Sequence, residues 1–325
     1  MLVLPAQDVE ALLDLDRLVD AVEQAMVDLS AGRVSLPSRV AAQVAERHAM
    51  LAAMPAYLPS ANALVTKLVS LFPDNVKQPT HQAVICCFDA ETGTPVALLD
   101  GTYITAARTA AGSVVATRLL ARPEGGIVAI IGTGVQARSH ARAFSRLDQT
   151  GTILLAGRDH AKVLALRDDL AARGITVEAV DGIEDAVRSA DTICAATHPQ
   201  QPVVQRDWLK PGAHVNSVGY NVTGAGEIDS ATLRDAVVAV ESRAAVLAPP
   251  PSGAVEIQRA IEAGNLDADR LVELGELSAG LAVGRTSADQ LTVYKSVGVA
   301  VQDAAAAALV LDAARAQERG RDVPI

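Results

Sequence analysis

Six residues have the types and spacing to cradle a diphosphate: Gly132-Thr133-Gly134-Val135-Gln136-Ala137. They follow the continuous apolar run 127–131 (IVAII) and open a helical pattern from about Val135 to Leu147. In that setting G-x-G-x-x-A is informative. The first glycine permits a tight turn, the second lets the backbone approach a pyrophosphate, and the small Ala137 lets helix pack on strand. Free N–H groups at the helix N-terminus then face the anion. Outside that setting the same hexapeptide would be only a Gly-rich turn.

The next strand, 152–156 (TILLA), ends where a ribose would be read. NAD-binding proteins usually place Asp or Glu there for the 2′-hydroxyl. Here the run is Ala156-Gly157-Arg158-Asp159, so Gly157 stands in the acid's place. The forked donors of Arg158 suit a 2′-phosphate. NADPH is therefore expected ahead of NADH. The plainer alternative makes Arg158 a solvated residue and Asp159 a helix N-cap.

By pattern alone Lys67, Arg108 and Arg39 read first as structural or solvated cations, with a ligand carboxylate as the alternative. Lys67 alternates with Val65, Val69 and Leu71 on one strand face. A lysine on an apolar face is costly without a partner such as a substrate carboxylate, although edge strands also use lysine as a gatekeeper. Arg108 lies among small residues that would let a ligand come close, and could equally be a solvated helix residue. Arg39 follows Pro37 in a loop, where pattern alone says little. Thr197 follows a strand, at the carboxyl edge where ligands bind in such sheets.

The elements that must position these residues fall into two groups. Residues 8–31 read as two helical segments, 64–71 and 83–88 as strands, and 104–121 as a helix of small side chains. Arg122-Pro123-Glu124-Gly125-Gly126 breaks that pattern. From 127 apolar strands alternate with amphipathic helices, which implies a parallel, doubly wound sheet. ITVEAV, DTICAA, AHVNSV and AVVAV supply its later strands, and 297–319 forms a long Ala-rich helix. The fold class is α/β, a Rossmann sheet plus an α+β domain.

The 325 residues are half hydrophobic and one fifth charged, enough for a sizeable core in about two domains. A net charge of -10 with scattered Lys and Arg argues against nucleic acid and anionic membrane. No apolar run reaches membrane-spanning length, and the N-terminus lacks a signal-peptide pattern, so a cytoplasmic protein is expected. Cys86, Cys87 and Cys194 read as buried thiols, and the six dispersed histidines give no metal pattern.

Four runs, in order along the chain, resemble the ornithine cyclodeaminase/mu-crystallin family. They are Thr105-Ala106-Ala107-Arg108-Thr109-Ala110-Ala111, Gly134-Val135-Gln136-Ala137 with Ser139-His140, Lys210-Pro211-Gly212-Ala213-His214-Val215-Asn216, and Thr292-Val293-Tyr294-Lys295-Ser296-Val297-Gly298. That family includes ornithine and lysine cyclodeaminases, alanine dehydrogenases and ketimine reductases. It also includes mu-crystallin, a ketimine reductase that binds thyroid hormone. The resemblance implies a split substrate-binding and dimerisation domain, 1–112 with 296–325, and an NAD(P)-binding Rossmann domain, 113–295. It further implies a homodimer, with the active site in the cleft between domains. It matches Arg39, Lys67 and Arg108 to the family's substrate positions. Thr109, Gly132, Thr133, Gly134, Val135, Gln136, Arg158, Thr197, Gly219 and Lys295 form the candidate cofactor set. Lys295 lies in the family's K-S-x-G motif and could equally serve the domain junction.

One departure matters. Where cyclodeaminases and alanine dehydrogenases of the family carry an Asp in G-x-D-x-P-G, this chain reads Gly219-Tyr220-Asn221-Val222-Thr223-Gly224. An amide orients a group but cannot serve as a general base. Mu-crystallin's side of the family also lacks this Asp and favours NADPH. The expected activity is NADPH-dependent reduction of a small cyclic ketimine, such as Δ1-pyrroline-2-carboxylate or Δ1-piperideine-2-carboxylate, to the cyclic L-amino acid. Arg39 and Arg108 would hold the carboxylate, Lys67 would polarise or protonate the C=N, and Asn221 completes the candidate catalytic set. Cyclodeaminase or alanine dehydrogenase activity, or NADPH-dependent ligand binding, are the rival readings.

Overall fold

The computed structural model describes residues 1–219, 226–249 and 252–324; Asn221 lies outside them. Along the chain the elements begin with β1 (Leu2–Leu4), α1 (Ala6–Leu12), α2 (Leu15–Ser30), β2 (Val40–Val44), β3 (Ala49–Leu58), β4 (Ala63–Leu71), β5 (His81–Phe88), β6 (Pro95–Asp100) and α3 (Gly101–Leu120). There follow β7 (Gly126–Ile131), α4 (Val135–Phe144), β8 (Thr150–Ala156), α5 (His160–Ala171), β9 (Glu178–Ala179), α6 (Ile183–Ser189), β10 (Thr192–Ala195) and β11 (His214–Ser217). Then come α7 (Ser230–Asp235), β12 (Val237–Val240), α8 (Arg243–Leu247), α9 (Val255–Glu262), β13 (Val272–Glu273), α10 (Leu274–Ser278) and β14 (Thr292–Lys295). The chain closes with α11 (Ala300–Ala316) and β15 (Arg321–Asp322). Two compact units emerge, Met1–Arg108 with Gly298–Ile325, and Thr109–Val297. The break at 122–126 ends helix α3, whereas the unit boundary falls inside that helix.

The first unit is built on a seven-stranded sheet in the order β15-β1-β6-β5-β4-β3-β2. β2 to β6 are antiparallel neighbours, and their register places Met54, Lys67, Ile85 and Leu99 in one row across the sheet. That row is buried. Helix α11 lies against β3, β4 and α2. Its alanines are buried on nearly every side, as expected of a core helix. Helix α2 starts at Asp14, whose carboxylate accepts the N–H groups of Asp16 and Arg17. It buries Leu18, Val19, Val22, Ala25 and Met26, the i, i+4, i+7 stripe of an amphipathic helix. The opposite sheet face holds Leu51 and Val84, which are 49% and 39% exposed.

The second unit is a parallel eight-stranded sheet in the order β13-β12-β14-β11-β10-β7-β8-β9. The chain runs outward from β7 through β8 to β9, then returns to the other side of β7 at β10. The carboxyl ends of β7 and β10 therefore flank a topological switch point, where ligands bind in such sheets. Ala129, Ile131, Ile193, Val215 and Val293 are buried in one core cluster on these strands. Two details differ from the sequence reading. The run ITVEAV pairs only through the two residues of β9, because this strand is the sheet's edge. The motif Thr292–Lys295 is itself a strand, inserted between β11 and β12.

Candidate active site

In the first unit a charged cluster is buried on the sheet face under α11. Lys67, only 2% exposed, has its Nζ 2.7 Å from Asp303 Oδ2. The same carboxylate accepts Arg108 Nε through Oδ1 at 3.2 Å. Arg108 Nη1 donates to Gln302 Oε1 at 3.0 Å, and Arg39 Nη2 donates to the Gly298 carbonyl at 3.0 Å. Gly298 has φ +74, and a Cβ there would lie 2.7 Å from Arg108 Nη2. A side chain there would meet both a left-handed backbone and the guanidinium, which favours glycine. Lys67 also donates to Thr105 Oγ1 at 3.5 Å.

Electrostatics tune this cluster. Burial pulls the Lys67 ammonium down to about 8; Asp303 opposes the shift, and Arg108 and Arg39 add to it. Burial works to raise the Asp303 carboxyl, yet Lys67 and Arg108 outweigh it and hold the group below its ordinary range. His81, at the start of β5, is driven to about 4 by burial and then by Lys67 and Arg108. The cluster thus keeps one carboxylate among three cations, an excess of positive charge suited to an anionic ligand.

The sequence reading brought Lys67, Arg39 and Arg108 forward, and they converge here. It did not single out Asp303, Gln302, Gly298 or His81. The available signal was an Asp beside a Gln at the start of a long, Ala-rich run.

In the second unit the turn after β7 has the geometry a diphosphate needs. Gly132 has φ +129, and a Cβ there would lie 2.5 Å from the Ala196 carbonyl oxygen. Gly134 is the N-cap of α4, with no side-chain cap, and open space lies where its Cβ would be. The first-turn N–H groups of α4 are thus left without a side-chain acceptor. Val135 is 59% exposed, and the buried Gln136 Oε1 has no hydrogen-bond partner among the described residues. These features fit a dinucleotide.

His140 fixes the turn from behind. Its Nδ1 donates to the Gln136 carbonyl at 2.8 Å, which leaves Nε2 to accept from Ser113 Oγ at 3.0 Å. Arg158, at the end of β8, is exposed and has no hydrogen-bond or ion-pair partner among the described residues. Asp159 is the N-cap of α5, accepting the Lys162 N–H. A Cβ on Gly157 would touch Thr133 Cγ2 at 3.1 Å, so turn and strand end are neighbours.

Thr197, Gly219 and Lys295 meet around two glutamates. Glu227, fully buried, accepts Thr197 N and Oγ1 through Oε1, and Ser217 Oγ and Gly219 N through Oε2, all at 2.6 to 2.7 Å. Lys295 Nζ reaches Glu256 Oε1 at 2.9 Å, the Gly219 carbonyl at 2.8 Å and Ser217 Oγ at 3.1 Å. The ends of β10, β11 and β14 are thereby tied together. Thr109, also in the candidate cofactor set, is buried in α3. Neither glutamate was singled out from the sequence.

Fold and turn together define a dinucleotide-binding α/β protein carrying a second, cation-rich unit. Its sequence matches the profile of the ornithine cyclodeaminase/mu-crystallin family over residues 1–318, and the chain belongs to that family. It is 35% identical to the ketimine reductase mu-crystallin of Mus musculus over 300 residues, 91% of each chain. It is 32% identical to a Δ1-pyrroline-2-carboxylate reductase of Bacillus cereus, covering 98% of both. The solved Δ1-pyrroline-2-carboxylate reductase of Thermococcus litoralis, in complex with NADH and L-proline, superposes with a TM-score of 0.93 at 34% identity, over 99% of this chain and 100% of that one.

Proposed function

We propose that this chain is an NADPH-dependent oxidoreductase that reduces the C=N bond of a small cyclic ketimine to the cyclic L-amino acid. Δ1-pyrroline-2-carboxylate and Δ1-piperideine-2-carboxylate are the substrates that fit best. The observation that carries this reading is the buried Lys67 cluster, in which Lys67 and Arg108 share the Asp303 carboxylate and Arg39 donates to the neighbouring Gly298 carbonyl. The relatives named for ketimine and pyrroline-carboxylate reduction support the C=N chemistry.

In this reading the first unit binds substrate. Arg108 and Arg39 hold the carboxylate, and their planar forks fix the ring face presented. Lys67, a cation below pH about 8, polarises the imine and passes a proton to its nitrogen. The second unit binds the cofactor, which when bound supplies the hydride that adds to the imine carbon. Gly132, Thr133, Gly134, Val135 and Gln136 hold its diphosphate and Arg158 its 2′-phosphate. Thr109, Thr197, Gly219 and Lys295 complete that site, with Glu227 and Glu256 bracing the last three. The open sheet face bearing Leu51 and Val84 supports a homodimer formed through the first unit.

The test is product analysis. Incubation with NADPH and each ketimine should yield L-proline or L-pipecolate by chiral chromatography. Racemic product, or none, would count against the assignment.

A further inference from the structure

The cations of the first unit do not stand alone, and the residue that joins them is the one the proposed chemistry leaves without a task. Asp303 touches both Lys67 and Arg108 through separate oxygens, at 2.7 and 3.2 Å. It is fully buried, as is its neighbour Gln302. Gln302 grips the far side of the same guanidinium through Nη1. Two adjacent residues of α11 therefore clamp Arg108 while one of them also pins Lys67. A buried carboxylate that only balanced charge could sit beside any one cation. This one bridges a strand lysine and a helix arginine.

We propose that Asp303 is a positioning residue for imine reduction, its carboxylate fixing Lys67 as the proton donor and Arg108 as the carboxylate anchor at a set separation. The proposal rests on the ketimine reading for its chemistry and on the cluster's geometry for its residue. In the step itself the C=N π bond breaks. Hydride from the reduced nicotinamide forms the new C–H bond, the proton leaves Lys67 Nζ to form N–H, and the oxidised cofactor remains. Lys67 is left as a neutral amine beside an unchanged Asp303 carboxylate, and water returns its proton. The charged groups facing Lys67 are Asp303 from α11, Arg108 from α3 and Arg39 from the segment before β2, with the neutral, titratable His81 facing it from β5. Asp303 is the one anion among them, so it alone favours the protonated lysine.

Asp303→Asn keeps the shape and removes the charge. Burial and two arginines then act on Lys67 unopposed. Its protonation midpoint should drop by at least one pH unit from the value near 8. The chain has only five lysines, Lys67, Lys77, Lys162, Lys210 and Lys295. Carbon-13 labelling at lysine Cε, with Lys67→Arg to assign the signal, reads that midpoint directly without any substrate. In parallel, the descending limb of kcat/KM for Δ1-pyrroline-2-carboxylate should move to lower pH. Activity at neutral pH should fall in step with the protonated fraction of Lys67, at least about twofold for a one-unit drop, and recover on acidification. Asp303→Glu should restore the limb toward its original position.

A purely structural role would lower activity equally at every pH and leave the Lys67 midpoint in place, and that result overturns the proposal. If instead the midpoint moves as expected but the wild-type protein reduces no ketimine, Asp303's hold on Lys67 stands and the ketimine reading falls.

Discussion

Lys67 shares its sheet row with Met54, Ile85 and Leu99, so its ammonium is tolerated only because Asp303 answers it. A pH dependence follows. The group is a cation below about 8 and neutral above it. If it donates the proton, kcat/KM for the ketimine should fall tenfold per pH unit above about 8, read from initial rates across buffers. Arg158 carries a second expectation. Its guanidinium, without a partner among the described residues, would gain charge-assisted bonds from a 2′-phosphate. Arg158→Ala should raise KM for NADPH by about 10- to 100-fold and leave KM for NADH nearly unchanged. At this scale the cations were legible because lysine and arginine are conspicuous among apolar and small neighbours. Asp303 was not, since a single acid in a helix ordinarily marks a solvated face. Its partner lies on a strand far away in sequence, and pairing of that kind is set by tertiary packing.

Among the elements, the alternating pattern from 127 onward made the parallel sheet readable, because buried strands appear as short apolar runs between amphipathic helices. β3 was less visible, since Pro55 and four alanines weaken its strand signature. β14 was hidden for another reason. Four residues cannot show a period, and its place between β11 and β12 follows from the crossover, which sequence order does not reveal. The segment joining β14 to α11 carries a prediction of its own. Gly298 combines positive φ with the Arg108 guanidinium where a Cβ would stand, while its carbonyl accepts from Arg39. Gly298→Ala should cost about 1 kcal/mol from backbone strain and displace Arg108. Calorimetry should show a small loss of stability, while KM for the ketimine rises more than kcat falls.

For the molecule as a whole, buried neutral histidines set the response to acid. Burial holds His140 near 4 and His214 near 3, against an ordinary 6.5. Above 6.5 neither the folded nor the unfolded state binds these protons, so stability is unaffected. Below it the unfolded chain takes them up and the folded protein does not. Stability should therefore decline as pH falls toward 4, by up to about 1.4 kcal/mol per pH unit for each histidine. Urea midpoints at neutral and mildly acidic pH would show it. The open face of the first unit's sheet belongs to the same scale. If the proposed homodimer forms through that face, Val84→Asp should turn it into monomers in sedimentation velocity while leaving the secondary structure intact.

The proposed reaction draws on both a cationic imino-acid cluster and a dinucleotide turn. Its most direct test follows NADPH oxidation with Δ1-pyrroline-2-carboxylate, repeated with NADH and with Lys67→Ala. Rapid turnover, preference for NADPH, and a loss of at least 100-fold in the variant are expected. Undiminished turnover in Lys67→Ala, or none by the wild-type protein with either cofactor, would contradict the proposed reaction.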